Sequence, residues 1–187
     1  MDIIFLPGLL CNEAVWKPVC KHLSADYPAA RIMSITGLGS IGEMADRVLA
    51  SIDDRAIIVG HSLGARVAVE AWRRAPTPVA GLGLVSMGTK ALMEGEAEHR
   101  RHVVEVAWRD GVRAIAAHWI KVVLSQDSQR DSPLVEALVG MASQMMASDY
   151  VLQIEAFLGR TTLDDVLSAI SVPTLLIASV EYKLAGT

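Results

Sequence analysis

Ser62 stands at the centre of Gly60-His61-Ser62-Leu63-Gly64, a spacing in which a serine hydroxyl can become a nucleophile toward a carbonyl carbon. The residues two before and two after it are glycines. That suits a tight turn in which a strand hands the chain to a helix and the two cross closely. The residues on either side agree with such a turn. Ala56 to Val59 is an apolar run rich in β-branched residues, and Ala65 to Arg74 continues at helical spacing. The backbone N–H of Leu63 is then a candidate donor to an oxyanion, while His61 reads as a packing residue. A phosphate-binding loop is excluded, because the segment lacks the GxxxxGK spacing.

The elements that must position this turn alternate along the chain. Asp2 to Leu6 reads as a strand ended by Pro7-Gly8, and Asn12 as the cap of a helix over Glu13 to Leu23. Ala30 to Ile35 reads as a second strand, and Ser40 opens a helix running through Ile52. After the elbow, Val79 to Ser86 is a fourth strand, followed by the turn Met87-Gly88-Thr89. From Leu92 to Gly159 the pattern is helical, with breaks at Gly111, Ser125 to Pro133, and Gly140. Leu163 to Ile170 is a short helix, and Val172 to Ala178 a fifth strand. The expected class is α/β: a parallel sheet with flanking helices and an inserted helical lid. Its expected divisions are a core over 1–90, a lid over 91–160, and a return to the core over 161–187. In such sheets ligands bind at the carboxyl ends of strands, where Leu9-Leu10, Ser62 and Met87-Gly88 fall.

Composition narrows the function classes. The chain has 187 residues, 52% of them hydrophobic, enough for one good core. A net charge of −4 gives no electrostatic footprint for nucleic acid. The basic pairs Arg73-Arg74 and Arg100-Arg101 read as solvated helix faces. The start lacks a basic leader segment and its apolar run is cut by Pro7-Gly8, so neither a signal peptide nor a membrane span is expected. The two cysteines, Cys11 and Cys20, fit a reduced, cytoplasmic protein, and neither has metal-ligand spacing.

The chain resembles the α/β-hydrolase family, and within it small bacterial esterases of the pimeloyl-carrier-protein methyl ester esterase type. The resemblance rests on Leu6-Pro7-Gly8-Leu9-Leu10-Cys11-Asn12-Glu13-Ala14-Val15-Trp16, on the elbow, and on Val172-Pro173-Thr174-Leu175-Leu176-Ile177. It implies an oxyanion loop at Pro7-Gly8, where the family usually has His-Gly. Leu9 and Leu63 would supply the two backbone donors, each worth ~10²–10³ in rate. It also implies a carboxylic-ester hydrolase with no cofactor and no metal, acting on a small-molecule ester. Leu10, Met87, Met141 and Met145 are candidate acyl-pocket residues, with Met93 and Met146 in the same lid stripe.

The resemblance departs at the triad partners. The family's acid follows the last strand in a Gly-x-x-Asp pattern. Here Ser179 and Tyr182 occupy those places, and Glu181 is the only carboxylate, one position early. The family's histidine lies beyond a further helix and strand, and this sequence ends at Thr187. The expectation is therefore a C-terminally shortened hydrolase whose fifth strand leaves a sheet edge open to self-association. Its alternative is a non-catalytic small-molecule-binding protein or remnant, since losing the histidine can cost on the order of 10⁶ in turnover. Of the histidines at hand, His22 lies on the first helix far from the strand tips and His61 points away from Ser62. His99, His102 and His118 lie in the lid block, each read as a solvated helix residue, with a base leaning over Ser62 as the alternative. Asp164 and Asp165 read as charges favourable to a helix N-terminus.

Overall fold

A computed structural model describes residues 1–178. Five parallel strands form one sheet in the order β2-β1-β3-β4-β5: β1 (Asp2–Leu6), β2 (Ala30–Ile32), β3 (Ala56–His61), β4 (Val79–Val85) and β5 (Thr174–Ile177). Strand β3 lies at the centre, so the elbow follows the most deeply embedded strand. The register pairs Leu6 with Gly60, His61 with Val85, and Val85 with Ile177. The carboxyl ends of β1, β3, β4 and β5 therefore meet at one rim, where the site belongs.

Helices α2 (Ile41–Leu49), α3 (Leu63–Arg74) and α8 (Asp164–Ala169) pack on one face of the sheet, around Ile4, Leu6, Ile58, Leu82 and Leu84. Helix α1 (Lys17–Leu23) and Trp16 cover the other face at Ile3 and Phe5. Along β3 the burial alternates: Ala56, Ile58 and Gly60 are buried, whereas Ile57 and Val59 are half-buried. At β5, Leu175, Leu176 and Ile177 are all exposed among the described residues, Leu176 to 71%.

Between β4 and α8 run four helices: α4 (Glu96–Asp110), α5 (Val112–Val123), α6 (Ser132–Ala142) and α7 (Ala147–Leu158). They enclose their own apolar cluster of Ala107, Ile115, Ala116, Tyr150 and Ile154, and Leu9 and Leu10 join it from the β1 loop. No helix among the described residues is long and apolar enough to cross a membrane.

Three boundaries differ from the sequence expectation. The helix expected over Glu13 to Leu23 is a 3₁₀ turn at Glu13–Val15 followed by α1 from Lys17. Pro18 explains the break, since in a helix interior its ring would clash with the carbonyl of Ala14 and its missing N–H would lose a bond; at the second position of a new helix it is tolerated. Strand β2 is shorter than Ala30 to Ile35, because Met33 N–H bonds Phe5 O and the chain then turns away. Helix α6 runs through Gly140 without a break, its pitch carried by the apolar residues on either side. At Ser40 the helix start matches the reading. Its Oγ accepts from Glu43 N–H while Glu43 Oε2 accepts from Gly39 N–H, a variant of the reciprocal cap.

Candidate active site

The turn at Ser62 is strained and closely packed. Ser62 has φ 53° and ψ −110°, and Leu10 and Ser86, also at the strand-end rim, are the other non-glycine residues with positive φ among the described residues. Such backbone costs of order 1–3 kcal/mol and persists only when its surroundings impose it. Here Ser62 N–H bonds Val85 O at 2.9 Å, and Ser62 O accepts from Ala65 and Arg66 at 3.1 and 3.3 Å. A side chain at Gly60 would collide with the backbone of Gly64 and Ala65. One at Gly64 would stand 2.6 Å from Pro7 O and closer still to Leu6 O. The two glycines thus let β3, α3 and the β1 loop press together, and the hydroxyl of Ser62 sits where α3 begins. The first amides of a helix have no acceptor within it, and the Leu63 N–H is the first of α3.

The β1 loop is held over this turn from several sides. Trp16 Nε1 donates to Leu6 O at 3.0 Å, and Cys11 N–H closes a turn onto Gly8 O at 3.1 Å. Leu10, at φ 59°, donates its N–H to Oε1 of the fully buried Gln153 of α7 at 3.2 Å. Asn12 Nδ2 donates to Gln144 Oε1 at 3.0 Å, a second link from the loop to the helical segment. Both of these polar partners were invisible in the sequence, because each lies more than 130 residues away.

A cavity of about 510 Å³ opens over the elbow. Leu9, Leu10 and Ser62 form its floor, Ile115, Trp119 and Tyr150 an apolar wall, and Arg66, Glu96, Arg100 and Arg160 a charged wall. His99 of α4 and His118 of α5 also line it, so two of the histidines read as solvated helix residues share a cavity with Ser62. The other three do not line it. His22 is exposed on α1, and His102 is exposed 3.7 Å from Glu105. His61 packs against Gly8 with its Nδ1 buried and without a partner among the described residues, and burial lowers its pKa. Its expected role as a packing residue fits this neutral, enclosed ring.

The candidate pocket residues separate. Leu10 borders the main cavity, and Met93 borders it from the segment before α4. Met141 and Met145 line a second cavity of about 420 Å³ on the far side of Leu10, with Cys11, Asn12 and Gln153. Met87 packs against the sheet core instead. These three methionines therefore do not share the Ser62 cavity. Cys11 is half-buried there with its thiol pushed up to about 11 by desolvation, unsuited to nucleophilic chemistry. Glu181 lies outside the described residues. Among the described residues no group of three His, Cys, Asp or Glu could hold a metal ion.

The charged wall is the part the sequence reading missed. Arg100 is not a solvated residue. Its Nε donates to Glu96 Oε1 at 2.7 Å, and its guanidinium lies 4.3 Å over the Phe157 ring. Arg160 covers the same ring at 4.2 Å and bonds Glu96 Oε2. Burial pushes the Glu96 carboxyl up, but the bonds from Arg160, Arg100 and the Met93 amide outweigh it and hold the group down to about 2. Arg66, only 3% exposed, donates to Thr161 O at 3.0 Å and Lys90 O at 2.6 Å. Desolvation, reinforced by Arg160, lowers its pKa to about 10, so it stays charged at neutral pH. One signal was present in the sequence: an arginine within the otherwise apolar stretch Leu63 to Val69, one turn after the serine, must be paired when buried.

No protein-family model matches the chain. A pimeloyl-[acyl-carrier protein] methyl ester esterase of Edwardsiella ictaluri is 30% identical over 137 residues, 69% of this chain and 48% of that protein. The chain spans about half the length of the curated relatives it matches. Among solved structures, a thermophilic esterase from Thermogutta terrifontis superposes with a TM-score of 0.83 at 22% identity, over 95% of this chain and 71% of that one. An enol-lactonase from Burkholderia xenovorans superposes with a TM-score of 0.81 at 19% identity, over 96% and 73%. The chain has the α/β-hydrolase fold, and its sequence resembles the pimeloyl-[acyl-carrier protein] methyl ester esterases.

Proposed function

We propose that this chain acts on carboxylic esters through Ser62. The observation that carries the reading is the strained Ser62, at φ 53° between two glycines that tolerate no side chain, on the floor of a cavity shared with Leu9. In this reading the Ser62 Oγ attacks the acyl carbon and its proton passes to a base. The amides of Leu9 and Leu63 take up the charge on the carbonyl oxygen. The tetrahedral intermediate then expels the alcohol, which receives the proton, and water hydrolyses the acyl-serine to the acid. With the Leu10 amide already committed to Gln153, Leu9 is the residue of the β1 loop assigned as donor. His99 or His118, both on the cavity wall, is assigned as the base. The sequence similarity to methyl ester esterases supports the substrate class, a small-molecule ester.

A second reading, a binding protein with little or no turnover, is favoured by a specific observation. Among the described residues the only histidine–carboxylate pair is His102 with Glu105, out in solvent. A base without an orienting acid loses much of its power. Covalent labelling by a fluorophosphonate, read by intact mass, tests the two. Labelling that vanishes in Ser62→Ala and falls at least tenfold in His99→Gln or His118→Gln supports the hydrolase. A folded protein that remains unlabelled overturns it and leaves the binding reading.

A further inference from the structure

The second cavity, on the far side of Leu10 from Ser62, has in its wall a polar group that the described residues leave unsatisfied. Gln153 of α7 lines it and is 1% exposed. Its Oε1 accepts the Leu10 N–H at 3.2 Å, which fixes which end of the amide is the oxygen. Its Nε2 has no acceptor among the described residues. A buried side-chain N–H without an acceptor is rare in a folded protein and calls for an explanation. This one borders a space of about 420 Å³, the size that small ligands fill. A guest bringing an oxygen acceptor would complete the amide.

The remaining wall narrows the class of guest. No Lys, Arg or His among the described residues lines this cavity, whereas Glu13 and Asp149 do, which disfavours an anion. Glu13 is paired with Lys17. Asp149 is half-buried and has no hydrogen-bond or ion-pair partner among the described residues. It precedes Gln153 by four residues, so the two share a face of α7 one turn apart, a rise of about 6 Å. A carboxylate and an amide N–H at that spacing match a cation and a carbonyl oxygen carried on neighbouring carbons. Leu10, Ile35, Met141 and Met145 supply the apolar wall, and the two thioethers adapt to a branched chain.

We propose that this cavity is a second ligand site, for small primary ammonium compounds that carry an amide carbonyl beside the charged carbon and a short hydrocarbon tail. The ammonium pairs with Asp149 in a charge-assisted hydrogen bond. The carbonyl accepts from Gln153 Nε2, and the tail lies against Met141 and Met145. Asp149 and Gln153 line this cavity and not the one over Ser62, so the two sites are separate. Binding here is independent of whether Ser62 reacts with esters.

Calorimetry on the full chain at about pH 6, below the ordinary α-amino range, compares three probes. Leucinamide carries the charge, the carbonyl and the tail. Its relative 4-methylpentanamide lacks the charge, and 3-methylbutan-1-amine lacks the carbonyl. Leucinamide is expected to bind roughly tenfold or more tightly than either. Asp149→Asn should weaken leucinamide by about the same factor, with circular dichroism and the Kd of 4-methylpentanamide unchanged. In nitrogen-15 NMR of the wild type, the Gln153 side-chain amide signal should shift with leucinamide and stay in place with 3-methylbutan-1-amine. Equal affinities for the three probes, no binding of leucinamide, or a preference that survives Asp149→Asn overturns the proposal. So does a Gln153 signal that leucinamide leaves unmoved. That measurement needs no variant, so it decides even if Asp149→Asn does not fold.

Discussion

Ser62 is held at positive φ because β3 must pass the chain to α3 within one residue, and the strain is stored in the serine's own backbone. Replacing it by glycine should relieve that strain. Ser62→Gly is expected to raise unfolding stability by about 1 kcal/mol in urea titration while abolishing fluorophosphonate labelling. Ser62→Ala should abolish labelling with no such gain, because alanine keeps the Cβ. Gly64 behaves in the opposite sense. A methyl there meets the Leu6 and Pro7 carbonyls, which are backbone and cannot swing aside, so Gly64→Ala is expected to cost about 3 kcal/mol or more. The serine and the glycine spacing were legible in the sequence, since the turn is local. The role of Arg66, four residues on, was not, because its partners Lys90 O and Thr161 O come from distant segments.

At the scale of elements, the β1 loop is positioned from the helical segment as well as from the sheet. Gln153 of α7 accepts the Leu10 amide in a fully buried place, and a buried N–H left unpaired costs roughly 1–3 kcal/mol. Gln153→Met is expected to destabilise the protein by that amount and to slow labelling of Ser62. Gln153→Glu, which keeps an acceptor oxygen, is expected to recover more of the labelling rate than of the stability. The strand and helix alternation that frames this loop was legible because apolar periodicity, the Ser40 cap and the Pro76-Thr77-Pro78 break are all short-range signals. The break between the 3₁₀ turn and α1 has a local signal too, in Pro18. What no local pattern states is which helix face the loop meets.

For the whole molecule, the arginine cluster links the helical segment to the sheet, since Glu96 and Arg100 come from α4, Arg160 from beyond α7, and Arg66 from α3. Burial works against the Glu96 carboxylate, and the hydrogen bonds from Arg160 and Arg100 more than offset it, bringing its pKa down to about 2. A carboxyl whose folded pKa is depressed contributes stability that is present above its unfolded value and is lost as pH falls through the folded one. Stability is therefore expected to fall by on the order of 2–3 kcal/mol from this group between about pH 4.5 and pH 2. Glu96→Gln should flatten that limb of the pH–stability curve. It should also destabilise the protein at neutral pH, because it removes the one carboxylate among three guanidiniums. Urea titrations of both proteins from pH 7 to pH 2 check both outcomes.

The sequence by itself determined the parallel α/β architecture, the glycine-flanked turn at Ser62 and the loop after β1, because each rests on residues a few positions apart: glycine spacing, apolar period and caps. It also carried the resemblance that points to esters. The tertiary structure alone decided which distant side chains share the cavity. Placing Met141 and Met145 behind Leu10, bringing Gln153 onto an amide 143 residues away, and gathering Arg66, Arg100 and Arg160 about Glu96 all depend on how the four helices pack over the sheet. That packing is set by shape complementarity summed over many contacts, and no short window of sequence contains it.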